Sequence, residues 1–169
     1  MNIDANSNEH DKELLKAKSD ALRLLSFSAR SSSELRKRLQ MKKVEAGIID
    51  EVIESFTKQG LLDDQKFAKL YAESRVHTRP TGRKNLEADL KRKGLSAETV
   101  SETLAGLKDF DEKTVAKDLI ELRFHKMTGI SVEKKKARLF SFLKRRGFGN
   151  DAIFAAMNEL FQEDLSVES

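Results

Sequence analysis

Apolar positions along the chain fall into a pattern that returns at intervals of about fifty residues. Leu35, Leu39, Val44, Ile49 and Ile53 have the same spacing as Leu86, Leu90, Leu95, Val100 and Leu104, and as Leu139, Leu143, Phe148, Ile153 and Met157. A step of four residues puts two side chains on one face of a helix, so each copy reads as a helix, a tight turn and a second helix. At the turn stand Gly94 and Gly147, as expected where a helix ends in a left-handed residue. Lys43 occupies that place in the first copy, which predicts a turn built differently. After the turn, Ser96 and Asn150 are placed to cap the next helix.

Another apolar stripe of helical period precedes each pair. It comprises Leu14, Ala17, Ala21, Leu24 and Leu25 in the first copy, Phe67, Ala68, Tyr71 and Ala72 in the second, and Val115, Leu119 and Leu122 in the third. The predicted unit is therefore three helices. A unit of about fifty residues buries too little surface to stand alone safely, so the copies are expected to pack end to end. The expected fold is all-α, an elongated array of three tandem three-helix repeats over 9–60, 61–108 and 109–163. A flexible polar tail is expected at 1–8 and an acidic tail at 164–169.

Two adjacent acids, Asp63 and Asp64, invite a catalytic reading, but their setting argues for capping. Gly60 closes the preceding helix, Asp63 is placed to accept from the free amides of the next one, and Asp64 adds negative charge to its first turn. Leu62 is spaced to pack on Phe67 as a hydrophobic staple. Ser31 and Glu34 have the spacing of a capping box, which accounts for the run Ser31-Ser32-Ser33 without a nucleophile.

The stretch Gly60-Leu61-Leu62-Asp63-Asp64, followed by Phe67-Ala68 and Tyr71 through Arg75, together with Lys93-Gly94-Leu95 and Arg145-Arg146-Gly147-Phe148, resembles the RecX family of recombinase regulators. The likeness runs from about Ala21 to about Leu160, with a long insertion through Met127-Thr128-Gly129-Ile130 before the third middle helix. The resemblance implies tandem three-helix repeats, no enzymatic activity and no cofactor. It also implies binding to the RecA recombinase along the groove of its filament on DNA, where ATP hydrolysis and strand exchange are restrained. Recombination, DNA repair and the SOS response are the processes such a regulator would serve.

Charge adds information of its own. The formal net charge is only +4, yet the stretch Arg30–Lys43 carries +5, Arg79–Gly94 carries +4 and Lys134–Arg146 carries +7. Everything else is acidic on balance, so the cations concentrate on the middle helices and their leads. Stacked units would align these helices into one basic ridge suited to an extended anionic partner. On a helical wheel Arg36, Lys37, Lys84, Lys91, Arg92, Lys134, Arg138, Lys144 and Arg145 fall away from the leucine face and are the candidate contacts for recombinase or nucleic acid. Lys42, Lys93 and Arg146 lie nearer that face, where a long side chain can snorkel.

The remaining features narrow the choice. The chain has no Cys, which excludes disulfides, thiolate nucleophiles and cysteine-ligated zinc. His10, His77 and His125 have no second ligand at metal spacing, so no metal site is expected. Thr81-Gly82-Arg83-Lys84 lacks the frame of a phosphate loop, and Pro80 and Gly82 are read as shaping entry into the second middle helix. Of the late phenylalanines, Phe140 alone is predicted to face outward, the others to be mostly core. With no signal peptide and no apolar run near the roughly 20 residues of a membrane span, the expectation is a cytoplasmic monomer. A basic helical module that competes for single- or double-stranded DNA is the alternative function, and an enzyme finds no nucleophile, metal cluster or cofactor loop.

Overall fold

The computed structural model describes residues 3–107 and 110–167, and the side chains of 8–107 and 110–162. The tails expected at 1–8, Asn8 apart, and at 164–169 lie outside the described side chains. Nine helices and no strand occur among the described residues: α1 Ile3–Phe27, α2 Ser32–Met41, α3 Ala46–Lys58, α4 Asp64–Thr78, α5 Arg83–Arg92, α6 Ala97–Gly106, α7 Glu112–Phe124, α8 Val132–Arg145 and α9 Asn150–Val167. They follow as three triplets. None of them is long and apolar enough to cross a membrane.

Contacts divide the chain into two compact units, 1–70 with 91–99 and 71–90 with 100–169. In the first, Ala17 and Ala21 let α1 approach closely, and they pack with Leu35 and Leu39 of α2 and Ile48, Ile49, Val52 and Phe56 of α3. In the second, Ala116, Ile120 and Phe124 of α7 meet Leu139 and Leu143 of α8 and Ile153, Ala156 and Leu160 of α9 around Phe148. Leu35, Leu39, Leu139 and Leu143 are fully buried. Truncating any one to Ala is expected to cost about 2–5 kcal/mol.

The turns confirm part of the reading and correct part. Gly60, Gly94 and Gly147 all have positive φ, at 70°, 76° and 81°. Lys43 has φ 62°, so its turn is not built differently after all. Its amide donates to the Gln40 carbonyl and that of Val44 to the Leu39 carbonyl, closing the helix as Phe148 N to Leu143 O does in the third triplet. The backbone closure satisfies the helix end, and an exposed lysine accepts the left-handed conformation.

Caps behave similarly. Ser31 and Glu34 form a capping box, Asp63 Oδ1 accepts from the Lys66 amide at 2.9 Å, and Ser96 Oγ accepts from the Thr99 amide at 3.1 Å. Asn150 is not a cap. It opens α9 itself, and its Oδ1 accepts from Lys144 Nζ at 2.6 Å. On α7 Val115 and Leu119 pack against the core as expected, but Ala116, Ile120 and Phe124 are the buried residues and Leu122, expected inside, is 68% exposed. Phe140 is half-buried against the core, and Phe154, expected inside, is the more exposed of the two.

One middle helix departs from the other two. Ser32 and Arg83 begin α2 and α5 three residues before Leu35 and Leu86, while Val132 begins α8 seven residues before Leu139. The third middle helix therefore carries an extra turn at its start.

Candidate interaction surface

The middle helices α2 and α5 are held at their first turns. Ser31 Oγ donates to the Lys93 carbonyl at 2.5 Å, the Ser32 amide donates to Asp64 Oδ1 at 2.8 Å, and Lys93 Nζ pairs with Glu34 at 2.7 Å. A Cβ on Gly94 would stand 2.1 Å from Ser33 Oγ. At the start of α5, Thr81 Oγ1 and the Gly82 amide both donate to the Arg146 carbonyl, at 2.7 and 2.9 Å. The Lys84 amide donates to the Gly147 carbonyl at 3.2 Å, and Asn85 Nδ2 to the Arg145 carbonyl at 3.0 Å. A Cβ on Gly82 would meet the backbone of Gly147 and Phe148 at 2.3 Å. Gly82 thus does shape entry into α5, and the reason is close approach of another backbone.

The cations nearest the leucine face are held by partners within the chain. Lys42 pairs with Asp20 at 2.8 Å, Lys93 with Glu34, and Arg146 donates to the Pro80 carbonyl at 2.8 Å. The hydrogen bond from Lys42, with further help from the charges of Lys42, Arg23 and Lys16, holds the Asp20 carboxyl below its ordinary range. Burial lowers the Arg146 guanidinium from its usual value, and the neighbouring charges of Arg79, Arg75 and Arg123 add to this.

Among the outward candidates, Arg36 is tied to Asp50 of α3 at 2.5 Å and is only partly exposed. Lys37 is exposed on α2, Lys84 on α5, and Lys134, Arg138 and Arg145 on α8; none of these five has an ion pair among the described residues. Lys91 and Arg92 are exposed but also interact within the chain. Lys144 bonds Asn150 and lies 5.9 Å from the centre of the Phe140 ring. Arg138 and Arg145 are brought together along one groove beside α8.

Other charged groups escaped the sequence reading. Asp89, only 5% exposed, pairs with Arg75 Nε at 2.9 Å. Its place three residues after Leu86 and one before Leu90 puts it on the buried face, a signal that was available. Arg83 donates to the Leu104 and Phe110 carbonyls and lies over the Phe110 ring, and Glu112 accepts from the Arg83 and Gly149 amides. These bonds join segments far apart in sequence, and no local spacing announces them.

Comparison with known proteins agrees with this layout. Residues 17–56 match "RecX, first three-helix domain", 63–104 "RecX, second three-helix domain" and 111–157 "RecX, third three-helix domain". A protein named Regulatory protein RecX from Pelodictyon phaeoclathratiforme is 32% identical over 140 residues, covering 83% of this chain and 86% of its own. That from Thermobifida fusca is 29% identical over 90% of this chain and 80% of its own, and that from Bacillus subtilis is 30% identical over 92% of this chain and 59% of its own. The crystal structure of RecX from Lactobacillus salivarius superposes with a TM-score of 0.82 at 22% identity, over 90% of this chain and 99% of that one.

Proposed function

Since the chain belongs to the RecX family, we propose that it is a non-enzymatic regulator of the RecA recombinase, binding along the RecA–DNA filament in the cytoplasm. On this reading it restrains ATP hydrolysis and strand exchange, and so acts in recombination, DNA repair and the SOS response. The observation that carries the reading is the presence of all three family domains, in order, across residues 17–157. Exposed cations on the middle helices support it, because they offer charge to an acidic protein surface or to phosphate.

Inhibition on this reading follows from bridging. A monomer that touches neighbouring protomers through more than one triplet opposes the relative motion that accompanies nucleotide turnover, and each contact raises the effective concentration of the next. Lys37, Lys84, Lys134, Arg138 and Arg145 are the foremost contacts, with Lys91, Arg92 and Lys144 beside them; Arg36, held by Asp50, contributes least.

The test is a titration into a RecA ATPase assay on single-stranded DNA. A Lys37→Glu, Lys84→Glu, Lys134→Glu variant is expected to inhibit about tenfold less well with its helical content unchanged. Full inhibition by that folded variant would refute the reading. The exposed cations without carboxylate partners also suit a second reading, direct competition for DNA. In that case DNA alone binds as tightly as the filament, and affinity falls steeply with salt.

A further inference from the structure

The outer surface of α8 differs from that of the other middle helices. Its crest is formed by two small side chains, Ala137 and Ser141, one helical turn apart and both exposed. On one side lies a groove of about 600 Å³ shared with α9, in which Phe140, Met157 and Phe161 form the floor and Phe154, 54% exposed, forms the edge. On the other side, a groove of about 450 Å³ shared with α7 is bounded by Arg123, Arg138 and Arg145 around Phe142. The crest lines both grooves.

Charge lining the two grooves has one sign. No described acid lines either groove. Glu159 of α9 is engaged by Lys113 and Lys117 of α7. Arg123 lies 4.3 Å from the centre of the Phe142 ring and Arg146 5.3 Å from the same point, so one aromatic ring steadies two guanidiniums. Lys136 over Phe161 and Lys144 over Phe140 put cations beside the apolar groove as well.

A partner must match an apolar channel, a low crest and a cationic trough lying side by side along one helix. An amphipathic helix does so: its apolar residues at one-turn spacing fill the channel, the small crest permits close axes, and acidic residues beside the stripe reach the arginines. Arg forks suit carboxylates in particular. A second copy meeting this face with its own would set arginine against arginine, and a nucleic-acid backbone would leave the phenylalanine channel unfilled.

We propose that α8 and its flanking grooves form a docking site for an acidic amphipathic helix of a partner protein. Its apolar stripe packs along the channel on Phe140, Phe154 and Phe161, and its carboxylates bond Arg123, Arg138 and Arg145. The proposal goes beyond the regulatory reading and does not depend on which protein carries the helix.

The experiment uses the full chain and a fluorescein-labelled synthetic peptide of about 18 residues, long enough to hold several helical turns, with Leu on one face and Glu flanking it. Anisotropy is expected to show saturable binding, weakened about tenfold or more by Phe154→Ser and by Arg138→Glu with Arg145→Glu. The same peptide with Lys for each Glu is expected not to bind. Absence of saturable binding, or a Phe154→Ser variant that binds like the parent, would overturn the proposal. So would binding confined to a single-stranded oligonucleotide that needs the arginines but not Phe154. Self-association abolished by Phe154→Ser would overturn it in favour of a second copy. Circular dichroism establishes that each variant is folded.

Discussion

The turn that ends α2 and the turns that end α5 and α8 share one backbone shape but answer to different demands. Lys43, Gly94 and Gly147 all lie in the left-handed region, yet Lys43 is exposed, whereas Gly94 sits on Ser33 and Gly147 on Asn85. Gly82 completes the comparison, because it lies outside the left-handed region and a Cβ there would still collide with backbone. One position thus needs only a conformation, one needs only space, and two need both. A glycine in a repeat can therefore mark a neighbour as well as a bend, and the residue that replaces it shows where no neighbour presses.

The largest effect expected from this comparison is at Gly82. Gly82→Ala adds a Cβ against Gly147 and Phe148 backbone that cannot rotate away, and should cost about 3 kcal/mol in urea denaturation. Gly94→Ala is next, at about 2 kcal/mol, since it combines left-handed strain with a collision against a side chain. Adding Ser33→Gly removes the collision but not the strain, so the double variant should recover about half the loss; strictly additive losses would show that Ser33 is not the obstacle.

Lys43→Gly should work in the opposite direction. It relieves strain without filling or emptying space, and is expected to stabilise the fold by about 0.5–1 kcal/mol. The smallest effect concerns the ion pair beside that turn. The hydrogen bond from Lys42 lowers the folded Asp20 pKa, so the contribution is fully present above the ordinary carboxylate range and is lost as pH falls through the lowered value. Asp20→Asn is expected to flatten the acid limb of a plot of Tm against pH, leaving the neutral limb parallel to the parent.

What the sequence disclosed was local. Gly60, Gly94 and Gly147, the Ser31–Glu34 box and the Asp63 cap each depend on neighbours a few residues away, and each was readable. Asp64 was read as first-turn charge, and its bond to the Ser32 amide adds a role that spans 32 residues. On α7 the expected Val115 and Leu119 do pack against the core, but Leu122 does not, and Ala116, Ile120 and Phe124 lie deeper; both sets fit a helical period, and only packing ranks them. For the candidate surface, outward direction was legible for Lys37, Lys84, Lys134, Arg138 and Arg145, while the capture of Arg36 by Asp50 depended on how α2 and α3 cross.

The added coil at the head of α8 limits how the molecule can be rebuilt. Amides that are turned outward at Gly82 and Lys84 correspond in α8 to positions already inside the helix, where Lys135 N is spent on the Ser131 carbonyl. An engineer grafting a fourth triplet onto this scaffold would have to excise residues 132–135 before the newcomer found a seat. Left uncut, the graft should dangle from its linker and melt in a separate transition.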